Sequence, residues 1–132
     1  MSDHLLLPQL TEGRLVHRSP VVKFCKGLLA EALDRGFERL EVLAPRGGSA
    51  IAEVRAYRGE CASRYFELPA SMHRTVVRRL KAMARMRRAQ PLDTEGCIRL
   101  ERSRGKPIPI RLTTHPRPDG PADVIMQFLL TR

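Results

Sequence analysis

At 132 residues the chain has room for one hydrophobic core and not for a second independent unit. With 42% hydrophobic and 29% charged residues and no low-complexity tract, it has enough apolar material to offset the entropy of ordering its backbone, which excludes a disordered chain. Lys and Arg outnumber Asp and Glu by 24 to 14, a formal charge of +10, so an acidic partner is favoured, whether nucleic acid, anionic headgroups or an acidic protein face.

The three cysteines, Cys25, Cys61 and Cys97, leave at least one unpaired, and none shares a local metal-binding spacing. They read as small buried or half-buried thiols in a reducing compartment. No apolar stretch approaches the length of a transmembrane helix, and residues 1–19 lack the succession of a secretory leader, so a soluble, cytoplasmic chain is expected.

Residues 1–19, with Pro8, Gly13 and scattered charges, predict an N-terminal arm ahead of a single domain over 20–132. Ser19 suits an N-cap with Pro20 in the first turn. Val21, Val22, Cys25, Leu28, Leu29, Ala32 and Leu33 then recur at helical spacing until Gly36 ends the helix. Residues 37–44 alternate as a strand, 45–48 make a turn, and Ala52, Val54 and Ala56 alternate with Glu53, Arg55 and Tyr57 as a second strand. Gly59 and Glu60 turn the chain into a third strand over 61–68, which Pro69 stops.

A second helix is predicted over residues 70–87. Met72, Val76, Leu80 and Met83, with Val77 and Ala84 beside them, form an apolar stripe. Arg74, Arg78, Lys81, Arg85 and Arg88 form a basic one, and no acid falls between Met72 and Arg88. Pro91 closes this region, and strands follow over 97–102, 108–113 and 123–130, separated by Arg104-Gly105 and by residues 116–121. Hairpin-length connections dominate, so the expected architecture is α+β: a mainly antiparallel sheet with two helices packed on it, in the order α-β-β-β-α-β-β-β. Val76, Leu80 and Met83 should face sheet residues such as Val54, Ile110 and Leu112.

The chemistry of the residues points away from catalysis. A P-loop requires glycine-rich backbone followed by Lys and then Ser or Thr, whereas Gly105-Lys106 is followed by Pro107 and lies between strands. His4, His17, His73 and His115 are dispersed, with no pair at ligand spacing, and read as solvated or hydrogen-bonded side chains. No catalytic residue, metal ligand or cofactor site is assigned, and the chain is expected not to be an enzyme.

Three segments together resemble the N-terminal domain of the type II secretion and type IV pilus assembly ATPases. Residues 20–36, PVVKFCKGLLAEALDRG, look like that domain's opening helix. Residues 68–84, LPASMHRTVVRRLKAMA, are similar to its leucine-proline entry into a helix ending in a lysine-x-methionine-alanine phrase. Residues 95–98, EGCI, followed by 110–116, IRLTTHP, match its Asp-Gly-Arg and Leu-Arg-Val-Ser phrases. The resemblance implies a PAS-like α+β fold, here without the RecA-like core that normally follows it. It further implies that Arg111 occupies a nucleotide-facing position. Two companion arginines are replaced, by Cys97 and by Gln127, and the family's acidic run after methionine-alanine has become Arg87-Arg88-Ala89-Gln90. Cys97 is expected to be a substituted turn residue, and Arg111 an outward strand residue.

These departures favour a domain reused for protein contact. The expected function is a non-catalytic interaction or regulatory module of a secretion or pilus system. Its partner would be an assembly ATPase, its membrane platform or an adaptor, and the module would reach the inner membrane only through that partner. The basic helix face, Arg74, Arg78, Lys81, Arg85 and Arg88, is the candidate partner-binding surface. The alternatives are a nucleic-acid-binding module using the same face on phosphates, expected to be non-specific, and a fragment of a larger secretion ATPase.

Overall fold

The computed structural model describes residues 20–86, 95–102, 104–118 and 120–130. The predicted N-terminal arm, the Ser19 cap, His4, His17, Arg87 and Arg88 lie outside the described residues. Helix α1 (Pro20–Asp34) leads into strands β1 (Arg39–Val42), β2 (Ile51–Arg58) and β3 (Cys61–Pro69). Helix α2 (Ala70–Met83) then precedes β4 (Glu95–Leu100), β5 (Ile108–Arg117) and β6 (Gly120–Phe128). The strands form one six-stranded sheet in the order β3-β2-β1-β6-β5-β4. Every pairing is antiparallel, so the chain is an α+β fold of two three-stranded meanders joined where β1 meets β6.

The period-2 pattern decides which face is covered. Leu40 and Val42, then Ala52, Val54 and Ala56, then Ile98, Ile110, Leu112, Val124 and Met126 are buried, and both helices pack onto this face. The alternate residues, among them Arg39, Glu53, Arg55, Arg99 and Arg111, occupy the opposite face, which among the described residues carries a lattice of ion pairs and no second layer. From α1, Phe24, Cys25, Leu28, Leu29 and Ala32 enter the core. From α2 the core takes His73, Val76, Val77 and Leu80. Met83, expected in the core stripe, is only partly buried, because the buried arc is centred closer to His73 and Val77 than the apolar residues alone suggested.

Both helices end in the same way, with one difference in residue type. After α1, Phe37 N–H donates to Ala32 O and Gly36 N–H to Leu33 O, with Gly36 at φ +83°, a left-handed closure suited to glycine. After α2, Met86 N–H donates to Lys81 O and Arg85 N–H to Ala82 O, with Arg85 at φ 59°. The predicted helix over 70–87 therefore stops early, at Met83. An arginine occupies the left-handed position that normally announces itself as glycine, so the stop carries no sequence signal.

Other boundaries move for local reasons. Strand β4 begins at Glu95 rather than at residue 97, because Gly96 passes directly under the end of α2. A Cβ there would lie 2.9 Å from the Ala84 carbonyl oxygen and 2.7 Å from Met86 Cγ. Cys97 is consequently a strand residue paired with Arg111, not a turn residue. The loop expected over 116–121 is largely strand: the β5–β6 hairpin continues to Arg117 opposite Gly120. A register shift between His115 and Arg117 accommodates Pro116, which has no N–H to give. Cys25 is buried, and burial raises its thiol pKa to about 12 although Arg79 pulls the other way. Cys61 and Cys97 are exposed, contrary to the expectation of buried or half-buried thiols. Among the described residues no helix is long and apolar enough to cross a membrane.

Candidate partner-binding site

Helix α2 starts with no side-chain cap and no acid in its first turn. Its entry is set instead by β3, which runs straight into it, with Ala70 N–H donating to Ala50 O beside β2. Once the inner arc is committed to the core, residues 74, 78 and 81 fall at i, i+4 and i+7 on one outer line, so three cations stack along the helix. Arg74 and Arg78 are exposed and Lys81 is half-buried. Among the described residues none of the three has an ion pair with an acid. The carboxylates near the sheet are engaged elsewhere: Glu53 and Glu67 by Arg64, Glu95 by Arg111, Asp123 by Arg117.

The line of cations borders a recess of about 220 Å³ lined by Arg74, Val77, Arg78, Lys81, Pro121 and Ala122. Its apolar floor comes from two places far apart in sequence. Val77 lies at the edge of the core arc, and Pro121 and Ala122 come from the start of β6. Asp123 fixes that wall: its Oδ1 accepts the Ala44 N–H at 2.7 Å and its Oδ2 accepts from Arg117 Nη1 at 3.2 Å. The result is an apolar cleft rimmed by positive charge, able to take a short apolar side chain flanked by carboxylates.

Three of the five predicted site residues, Arg74, Arg78 and Lys81, are brought together here. Arg85 is exposed but belongs to the closure beyond the helix, not to the helical stripe, and Arg88 lies outside the described residues. Pro121 and Ala122 were not predicted, because no local pattern shows that the start of β6 abuts α2.

His73 was also missed. It was expected to be solvated or hydrogen-bonded, yet it is 1% exposed and neither ring nitrogen has a hydrogen-bond partner among the described residues. Burial lowers its pKa, against a smaller upward pull from Asp123, so the ring is held in its neutral form. Its i, i+3, i+4 relation to Val76 and Val77 was the available signal. His115, by contrast, is exposed on β5.

Arg111 lies on the other side of the sheet from α2. Its neighbours Ile110 and Leu112 are fully buried while its own side chain is exposed and pairs with Glu95 at 3.3 Å. Cys97, Arg111 and Gln127 stand in register on adjacent strands, so the three positions singled out by the resemblance form one row on the face opposite the helices. They do not converge with the basic recess. Gly105, at φ +87°, is a turn residue between β4 and β5. Among the described residues no cluster of three or more His, Cys, Asp or Glu could hold a metal.

No protein-family model matches the chain, and no curated protein matches it.

Proposed function

We propose that the chain is a non-catalytic interaction module whose α2 recess docks an acidic segment of a protein partner. The observation that carries this reading is the pairing of an apolar floor, Val77 with Pro121 and Ala122, with three cations that have no acidic partner among the described residues. Phosphates need only the cations. A floor that buries an apolar side chain adds nothing to phosphate binding but stabilises a peptide, and interface cores of this kind set protein specificity. No aromatic side chain lines the recess, so it offers no stacking platform for bases.

The resemblance of residues 20–36, 68–84 and 95–116 to the N-terminal, PAS-like domain of secretion and pilus assembly ATPases suggests where that partner belongs. It would be an assembly ATPase, its membrane platform or an adaptor, met in the cytoplasm at the inner membrane. The replacement of two family arginines by Cys97 and Gln127 leaves Arg111 without its companions and supports protein contact over nucleotide sensing.

The test is binding at near-physiological salt with two variants. Alanine at Arg74, Arg78 and Lys81 together should abolish recovery of the ATPase or platform partner. Ala122→Leu, which fills the recess without touching charge, should weaken that complex by about tenfold. Binding to DNA or RNA should be sequence-indifferent, weaker than about 1 μM and indifferent to Ala122→Leu, with steep salt dependence. Nanomolar, sequence-selective nucleic-acid binding with no protein partner would reject the proposal in favour of a nucleic-acid module.

A further inference from the structure

The two edges of the sheet are built differently. At one edge, β3 pairs with β2 through a register shift between Val54 and Arg55, ends in Pro69, and carries Arg64 tied to both Glu53 and Glu67. The recess along it is lined by Arg64, Tyr65, Phe66 and Glu67, and the Tyr65 hydroxyl is committed to Glu31. A bulge, a proline and locked charges are the usual means of blunting an edge against strand addition.

At the other edge, β4 has neither bulge nor proline, although its Glu95 is tied across to Arg111 at 3.3 Å. Its pairing with β5 runs without a register shift from Glu95 to Leu100, and it contains no proline. Among the described residues nothing lies beyond it in the sheet order, so its outer backbone edge has no strand partner there. Directly beside it runs a groove of about 320 Å³. One wall is Ile98, Arg99 and Leu100 of β4 with Glu101 just beyond the strand, so the groove runs along the strand edge; its other wall is Lys26, Ala30 and Met83 from the two helices.

We infer that β4 accepts an extended segment of a partner protein as an additional strand, with apolar side chains entering the groove at every second position and acidic ones between them. The spacing follows from strand geometry: alternate side chains of an added strand fall to the helix side, against Ala30, Met83, Ile98 and Leu100. Those between fall to the face opposite the helices beside Arg99, whose one ion pair among the described residues, to Glu101 at 3.8 Å, joins two side chains that are 73% and 77% exposed. Such a pair contributes little and yields readily to a closer carboxylate. Lys26 on the groove rim adds a second cation, so the groove's two cations outnumber its one described acid, Glu101, and acids are favoured over bases on this strand. The groove shares no lining residue with the α2 recess, and the proposal does not depend on that site.

A fluorescein-labelled peptide of alternating glutamate and valine, roughly eight residues long, tests it by anisotropy. Full-length protein carrying alanine at Arg74, Arg78 and Lys81 is used, so the α2 recess cannot contribute. Saturable binding below about 1 mM is expected, and Ala30→Glu, at an exposed position in the groove, should weaken it by about tenfold. Two peptides N-methylated on opposite alternate residues should behave differently: the one whose methyl groups face β4 loses binding and the other keeps it. No saturable binding, equal behaviour of the two methylated peptides, or indifference to Ala30→Glu would overturn the inference. So would concentration-dependent dimerisation that Ala30→Glu abolishes, since a second copy of the chain would then be the strand.

Discussion

Helix α2 turns two chemically opposite faces to its surroundings, and they obey different rules. On the inner face His73, Val76, Val77 and Leu80 are buried against the sheet, each surrounded by atoms that cannot move away without opening a cavity. On the outer face Arg74, Arg78 and Lys81 border the recess and have no intramolecular acid to hold them among the described residues. The inner face determines whether the domain folds, and the outer face is free to serve a partner. A substitution on one side should therefore be read in stability and on the other in binding.

The largest expected effect is from Leu80→Asp, which places a carboxylate at a site with 0% exposure, and should destabilise by about 3 kcal/mol or more in urea unfolding. A loss no greater than that of an outer-face variant would mean the two faces had been misassigned.

Next is His73→Leu, which removes two buried ring nitrogens that lack partners among the described residues and should stabilise by about 1 kcal/mol at neutral pH. The gain should widen with acid. Because the folded-state pKa lies below the unfolded value, the unfolded chain takes up the proton first. Wild-type stability attributable to this ring is intact above the unfolded pKa and declines as pH falls through it. Melts of both proteins from about pH 7.5 to about pH 5.5 measure the divergence, and parallel curves would show that His73 finds a proton acceptor.

Arg85→Gly sharpens the comparison at the point where α2 ends. Relieving a left-handed non-glycine residue should stabilise by up to about 1 kcal/mol without altering the outer cations of the helix, and thermal unfolding would detect it. A destabilised variant would indicate that the Arg85 side chain contributes contacts of its own. Smallest is Arg78→Ala, expected to change stability by only about half a kcal/mol while weakening the partner complex. A large stability loss there would place Arg78 in the fold rather than in the site.

Much of this architecture is legible in local pattern. Alternation in Ala52-Glu53-Val54-Arg55-Ala56 and the helical recurrence of Leu28, Leu29, Ala32 and of Val76, Leu80 give both meanders and both helices, because period 2 and period 3.6 are properties of a few neighbouring residues. The line of Arg74, Arg78 and Lys81 is legible for the same reason. Where α2 stops is not, since Arg85 does the work of a glycine, and where β4 begins depends on the close passage of Gly96 beneath Ala84.

The sequence by itself determined the element order, the antiparallel α+β class, the buried stripe and the cationic one. Tertiary structure alone decided that β1 pairs with β6, which sets the two meanders side by side, and that the start of β6 closes a recess against α2. It also decided that Arg111, Cys97 and Gln127 share a row on the face away from that recess, and that among the described strands β3 and β4 are the two edges, of which β3 alone has a register shift and a proline. Periodicity encodes which side of an element is apolar, but contacts between segments separated by dozens of residues arise only when those sides are buried together. That global condition, met by the whole chain at once, creates both the recess and the edge.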